Sequence, residues 1–529
     1  MEEFLAAETL IVILMMVATL VAIAVRRVRL PYTVSLVLVG LVISLQQTLS
    51  VEITPELILA LFVPPLLFEA AFHLDLKMLR DNLVPIMMLA VPGVLVSTLL
   101  VGGIVTLGAG LPLTATVAFG ALIAATDPVA VVALFRALGV PRRLAVAVEG
   151  ESLFNDGTAI VIFRIALAAA LTGVFDPLTS LFDFLRVSVG GMAVGLALGW
   201  LAAQLIARLD DRLIVTTITT LLAYGAYLIA EFFHVSGVLA VVVAGLVSGS
   251  VGLAGATPTT KIMLFNLWEF LAFLANSFVF LLIGINVNLP RLWLNLWPIV
   301  VAVLAVLISR AVVVYGFSFV THLTKRSRPH IPLTWRHVLF WGGQRGAISL
   351  ALALPLPAAL PEQDTLQAMT FGVVLFSLLI QGTTIQFLLQ GLGLIQLSAP
   401  HKEREIRLGR LFATQAGLRR LEQLHREGLL TDEMWLGLRE DYRQAQEHLL
   451  EQMNQLFVEH VEMEREMLLQ ARREALQAER GAMGDALRRG LISEDTYEEL
   501  VNDVDNRLEA LGMIQAAIHS SGQSKGGHQ

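Results

Sequence analysis

Through the first 395 residues the chain is a succession of apolar runs, most of them near the length that crosses a bilayer. A helical crossing takes about 20 mostly apolar residues. Spans fall near 4–25, 32–48, 55–73, 84–108, 113–134, 144–171, 183–207, 213–231, 235–250, 260–288, 296–320, 334–357 and 365–393, thirteen in all. The ninth is short and the tenth long. Of all 529 residues, 56% are hydrophobic and 15% charged, against about 25% charged in a soluble domain. The excess apolar surface has to face lipid or other membrane helices. With no cysteine, disulfides, thiolate chemistry and cysteine-ligated metals or iron–sulfur clusters are excluded. The expected fold class is an all-α polytopic membrane protein with a soluble helical tail.

The loops set an orientation, because cytoplasmic loops carry the excess of Lys and Arg. With the N-terminus outside, the cytoplasmic side collects Arg26, Arg27 and Arg29; Lys77 and Arg80; Arg136, Arg142 and Arg143; Arg208 and Arg212; Lys261; and Lys325, Arg326, Arg328 and Arg336. The outer side keeps Arg186, Arg291 and Arg164. The first span follows Met1-Glu2-Glu3 and has its basic cluster behind it, so it reads as a retained helix rather than a cleaved leader.

The seventh span carries Gly191, Gly195 and Gly199 four residues apart. That spacing lets helices approach closely, either within the chain or across a dimer interface. After Leu394 the composition turns to Glu, Arg, Gln and Leu, with Tyr442, Leu449, Met453, Leu456 and Phe457 at helical spacing. Residues 396–513 therefore read as a cytoplasmic helical tail, and 514–529 as disordered. Within the tail, Gly428-Leu429-Leu430-Thr431 and Gly490-Leu491-Ile492-Ser493 form a weak repeat. In each copy a glycine ends one helix and Thr431 or Ser493 caps the next. Such a bundle serves assembly or regulation.

Polar residues break the apolar pattern at a few depths. Glu149-Gly150-Glu151-Ser152-Leu153-Phe154-Asn155-Asp156 lies inside the sixth span, where a charge costs roughly 2.5–3.5 kcal/mol and marks an ion or proton pathway by default. Counting helical rise from the flanking basic residues places Glu151, Asp156, Asp127, Arg345 and Arg310 roughly 12–22 Å deep. In span five, Pro128 removes a backbone donor and disfavours helix at Asp127, which frees carbonyls near Ala124–Thr126. In span twelve, Gly342, Gly343 and Gly346 surround Gln344 and Arg345. Two interrupted helices in corresponding halves point to a transporter site. Spans 1–6 and 8–13 are then related by inversion, with five and twelve crossing. Asp127 and Arg345 are expected to neutralise the exposed helix ends. Residues four apart share a helix face, so Ser152 and Asp156 form one pair and Glu151 and Asn155 the next. Glu151 is expected to pair with Arg310 as a structural ion pair, with Asn155 on the same side. Asp156 has no fixed counter-charge and can take a proton or a hard cation such as Na⁺, with Ser152, Glu151 and the Thr126 carbonyl as further oxygen ligands.

The strings Ala125-Thr126-Asp127-Pro128-Val129, Glu149–Gly157 and Gly342-Gly343-Gln344-Arg345-Gly346-Ala347 resemble those of the bacterial sodium/proton antiporters related to animal Na⁺/H⁺ exchangers. The resemblance covers about residues 5–395. It implies a homodimer in the inner membrane of a bacterium, with a dimerisation part (mainly spans 1–3 and 7–10) and a core part (spans 4–6 and 11–13) that moves like an elevator. It implies Asp156 as the ion and proton carrier, aided by Asn155, Ser152, Glu151 and the Thr126 backbone, with Arg310 pairing with Glu151 and Arg345 in the break of span twelve. An Asn-Asp pair is similar to the electroneutral branch, one cation per proton, serving pH and sodium homeostasis. Glu69, in Pro64-Pro65-Leu66-Leu67-Phe68-Glu69, falls where that family often carries an acid.

The expected partners are a monovalent cation, a proton and membrane lipid, with no nucleic acid and no cofactor. Li⁺ or K⁺ fits the same oxygen ligands as Na⁺, so a K⁺/H⁺ antiporter is the alternative, and a gated cation channel a more distant one. No His-Glu-x-x-His or Ser/His arrangement falls in the spans, and His73 and His234 stand alone near span ends, which argues against an enzyme.

Overall fold

The computed structural model describes residues 2–28, 32–46, 55–209, 211–255, 258–286, 289–323, 332–354, 356–357, 359–394, 399–459 and 461–525. Among them the ordered elements are all helical, with no strand. The chain divides into two compact units, Met1–Ile395 and Gln396–Gln529.

In the first unit the helices are α1 (Glu2–Val28), α2 (Tyr32–Gln46), α3 (Pro55–His73), α4 (Leu76–Asp81), α5 (Leu83–Ala90), α6 (Pro92–Ala109), α7 (Leu113–Ala124), α8 (Val129–Leu138), α9 (Arg142–Thr172), α10 (Pro177–Ile206), α11 (Arg212–Phe232), α12 (Gly237–Ser250), α13 (Pro258–Asn286), α14 (Leu289–Leu294), α15 (Leu296–Leu323), α16 (Leu333–Trp341), α17 (Ala347–Ala353), α18 (Gln363–Phe376) and α19 (Gly382–Gly391). A π-helical turn, Ser377–Gln381, joins α18 to α19. Their starts follow from local chemistry. Asp176 accepts from Leu178 and Thr179 N–H ahead of α10, with Pro177 in the first turn, and Asp211 caps α11 in the same way.

Eight segments among the described residues are long and apolar enough to cross a membrane: Leu83–Ala109, Leu113–Phe135, Arg142–Thr172, Pro177–Ile206, Arg212–Phe232, Thr260–Leu282, Leu296–Phe317 and Gln363–Gly391. Four shorter apolar helices lie at Val12–Val25, Tyr32–Ser44, Ala60–His73 and Gly237–Ser250. The expected span 334–357 is divided into α16 and α17. Thirteen crossings therefore require the four shorter helices and the α16–α17 pair to cross as well. Of the basic residues that set the expected orientation, Arg29, Lys325, Arg326 and Arg328 lie outside the described residues. Two of the three arginines expected outside are paired, Arg164 with Glu231 at 3.0 Å and Arg291 with Asp364 at 2.6 Å.

Between apolar helices in lipid, close approach replaces the hydrophobic drive. The glycine row of α10 faces α12 of the same chain. A Cβ on Gly195 would stand 2.2 Å from the Ala240 carbonyl oxygen, and one on Gly191 2.4 Å from that of Ser236. Of the two readings of that row, packing within the chain is the one realised. Another side of α10 exposes Phe182, Val189, Leu196 and Trp200. A separate apolar cluster of Phe135, Leu144, Val338 and Leu389 joins α8, α9, α16 and α19.

In the second unit α20 (Ala399–Arg426) packs on α21 (Asp432–Glu459), and α22 (Val461–Arg488) on α23 (Glu494–Lys525). Gly428 and Gly490 take φ of 73° and 67°, a left-handed geometry that glycine adopts without strain. Thr431 and Ser493 hydroxyls accept from Met434 and Thr496 N–H, each at 3.4 Å. The repeat in the sequence is thus a pair of helix–turn–helix units. The last helix continues to Lys525 through most of the stretch expected to be disordered, because Ala516, Ala517 and their neighbours suit a helix; residues 526–529 lie outside the described ones.

The α10–α12 contact predicts that Gly195→Ala lowers the thermal unfolding midpoint in detergent, by overpacking worth about 1–3 kcal/mol. Gly225→Ala, where a Cβ meets nothing within 4 Å, should not lower it. An unchanged midpoint for Gly195→Ala would mean that the two backbones are free to separate.

Candidate functional site

Helix α7 stops at Ala124, residues 125–128 are not helical, and α8 begins at Val129. This is the consequence of Pro128, which lacks the N–H and crowds its predecessor. Residues 343–346 interrupt the chain in the same way between α16 and α17. The two interruptions are hydrogen-bonded to each other. Asp127 N–H donates to the Gln344 carbonyl at 2.8 Å. Arg345 Nη1 donates to the carbonyls of Ala124 at 2.5 Å and Ala125 at 3.0 Å, the loose C-terminal end of α7. Asp127 Oδ1 accepts from Val129 N–H at 3.1 Å, the start of α8. Arg345 thus meets a negative helix end and Asp127 a positive one.

The closeness of this crossing fixes Gly346: a Cβ there would lie 1.9 Å from Asp127 Oδ2. Ser377, in the π-helical turn, accepts from Arg345 N–H at 3.1 Å and so ties the second interruption to the α18–α19 segment. π-turns inside helices often accompany functional sites.

On α9, Glu151 is 2% exposed and accepts from Arg310 through both oxygens, from Nη1 at 2.6 Å and Nη2 at 2.7 Å. Such two-pronged pairs are geometrically specific. Arg310 also donates from Nε and Nη2 to the Leu339 carbonyl, at 3.2 and 2.9 Å, a group left over near the end of α16. One guanidinium therefore joins α15, α9 and α16. A Cβ on Gly343 would stand 2.6 Å from its Nε.

Asn155 departs from the expectation that it accompanies Glu151. Its Nδ2 donates to Thr126 Oγ1 at 3.1 Å, and its Oδ1 is buried without a partner among the described residues. The reason is the break itself, which presents Thr126 to α9 while Arg310 is taken up by Glu151. Ser152 Oγ donates to the Thr126 carbonyl. Asp156 is 6% exposed, and its Oδ1 has no hydrogen-bond partner among the described residues.

These groups meet at a cavity of about 70 Å³, lined among others by Thr126, Asp127, Ser152, Asp156, Asn276 and Ser349. A water needs about 10–15 Å³ of such space, so the cavity has room for a small ion and some water. Glu151 is not among its lining residues, and both its oxygens accept from Arg310. A larger cavity of about 670 Å³ shares Pro128, Glu149 and Asn276 with the first and adds Glu69 and Glu269. Glu69 also lies 3.3 Å from His73. The sequence reading assigned no role to Asn276, Ser349 or Glu149. For Asn276 and Ser349 the signal was a lone polar group in an apolar helix, as in Leu274-Ala275-Asn276 and Ala347-Ile348-Ser349.

The family model described as "Sodium/hydrogen exchanger, transmembrane" matches residues 12–391. The Na(+)/H(+) antiporter ApNhaP of Aphanothece halophytica is 42% identical over 372 residues, 69% of this chain and 70% of its own. The Na(+)/H(+) antiporter NhaS2 of Synechocystis sp. is 35% identical over 517 residues, 96% of this chain and 95% of its own, so that likeness takes in the second unit. Among solved structures, the sodium proton antiporter MjNhaP1 from Methanocaldococcus jannaschii at pH 8 superposes with a TM-score of 0.62 at 23% identity, covering 72% of this chain and 100% of that one; it shares the fold. With its family model matched over most of its length, and relatives of this identity over most of theirs, the chain belongs to the sodium/hydrogen exchanger family.

Proposed function

We propose that this chain is a secondary active antiporter of the bacterial inner membrane that exchanges one Na⁺ for one proton at Asp156, in the service of pH and sodium homeostasis. The observation that carries the reading is the buried Asp156 carboxylate with an unpartnered oxygen beside the Thr126 carbonyl and the Ser152 hydroxyl. The names of ApNhaP and NhaS2 support Na⁺ as the cation. Hard cations take oxygen ligands, and the cavity wall offers a carboxylate, a carbonyl and hydroxyls.

One carboxylate cannot hold a proton and a cation together, so the two compete. Exchange follows if the site faces each side in turn and the empty, charged form crosses poorly, since an unpaired buried carboxylate is costly. The core part would be spans 4–6 and 11–13, which hold both interruptions, Glu151 and Asp156, moving as one body against spans 1–3 and 7–10. That movement is elevator-like, and the exposed apolar side of α10 would meet lipid or a second copy in a homodimer. Thirteen spans put the N-terminus outside and the tail in the cytoplasm.

Asp156→Asn should abolish Na⁺-dependent dissipation of a ΔpH in proteoliposomes, tested with Na⁺, Li⁺ and K⁺ in turn; retained exchange would sink the assignment. Arg310→Ala strands Glu151 and should destabilise the protein by roughly 3–5 kcal/mol, seen as a lowered unfolding midpoint in detergent. Combining it with Glu151→Gln should recover part of that loss, and no recovery would mean that the pair is not the coupling between α9 and α15. Because the chain has no cysteine, single-cysteine variants report the orientation cleanly. Arg142→Cys should react with an impermeant thiol reagent only from the cytoplasmic side and Leu294→Cys only from outside; the reverse pattern refutes the topology.

A further inference from the structure

Ser349 stands on α17, three residues past Gly346. It is 1% exposed, and its Oγ has no hydrogen-bond partner among the described residues. Buried hydroxyls without a partner are uncommon and call for an explanation. Within a helix, a serine usually turns its hydroxyl to a carbonyl one turn back. Here that carbonyl belongs to Arg345, which Ser377 Oγ already approaches at 3.1 Å.

The cavity supplies the explanation. Ser349 lines the same space of about 70 Å³ as Thr126, Ser152 and Asp156. Asp156 Oδ1 is likewise buried and without a hydrogen-bond partner among the described residues. Ser152 has spent its proton on the Thr126 carbonyl, which leaves its oxygen lone pairs available to a cation. A hard monovalent cation stripped of water needs several oxygens around it.

We propose that Ser349 supplies an oxygen ligand to the transported cation from α17, adding the second interrupted helix to a donor set otherwise drawn from α9 and the Thr126 break. This rests on the reading of Asp156 as the exchanging carboxylate. The consequence is selectivity between the two competitors. A proton is held by a covalent bond to one Asp156 oxygen and does not need a shell of ligands. A cation does, so Ser349 strengthens cation binding and leaves proton binding nearly unchanged.

The test uses the full chain in proteoliposomes, with Na⁺ dependence of ΔpH dissipation measured from acid to alkaline pH. Ser349→Ala and Ser349→Cys both remove the hard oxygen, and the cysteine keeps the volume. Each should raise KM for Na⁺ roughly five- to tenfold at every pH, the loss of one ligand to a charged group. The maximal rate should stay within about twofold, and the pH at which protons begin to raise KM should not move. An unchanged KM in both variants, or a reduced rate at unchanged KM, makes Ser349 a packing residue and overturns the proposal. Asp156→Asn runs alongside: inactivity there leaves the exchange reading standing whatever Ser349 does, whereas retained exchange removes the basis for both.

Discussion

Everything at the centre of this protein depends on satisfying the backbone of two helices interrupted inside an apolar bundle. In lipid no water reaches a stray carbonyl or N–H, and each one left unpaired costs several kcal/mol. The two interruptions repair each other. Arg345, from the second, covers the carbonyls that α7 leaves at Ala124 and Ala125, while the Gln344 carbonyl takes Asp127 N–H from the first. Asp127 in turn covers the start of α8. Neither break is tenable alone, which explains why a chain this apolar keeps an arginine and an aspartate at such depth. The repair needs backbones in near contact, and Gly346 is the residue that permits it.

Repairing the breaks commits most of the buried charge. Arg345 and Asp127 are held by helix ends. Arg310 is held by Glu151 and the Leu339 carbonyl, and a buried pair of this kind resists removal of either member more than it adds net stability. Once these assignments are made, Asp156 keeps one buried carboxylate oxygen without a hydrogen-bond partner among the described residues. Under the proposed exchange, the fixed surroundings of Asp156 are what let its ligand vary.

Much of this was legible in the chain itself. Asp127-Pro128 dictates a break by steric and hydrogen-bonding rules that hold in any context, and three glycines around Arg345 weaken a helix in the same way. Helical spacing set Glu151 apart from Asp156. Arg310 was the buried arginine on a neighbouring span available to Glu151. What escaped was whatever depends on how two irregular segments lie against each other. Asn155 shares a helix face with Glu151, yet it turns to Thr126, because the break redirects a side chain and a carbonyl that a straight helix would have kept to itself. The glycine row of α10 announced a close contact without naming the partner. Ser349 and Asn276 sit on apolar helices like many satisfied polar residues elsewhere; only the cavity sets them apart.

The arrangement of charge also bears on the proposed exchange. Asp127, Glu151 and Asp156 carry three negative charges when ionised, and Arg310 and Arg345 carry two positive ones. The group then carries one negative charge in excess when Asp156 is empty, and is neutral when Asp156 holds either a proton or a monovalent cation. A neutral group moves through a low-dielectric bundle at far lower cost than a charged one. Under the proposed exchange, the count that favours movement of either loaded form disfavours movement of the empty one. The count agrees with the proposed exchange of one cation for one proton, since a second cation would leave this group positively charged. Under the proposed exchange the two arginines act without touching the cation: by cancelling the two structural carboxylates, they leave Asp156 to set the net charge of the group.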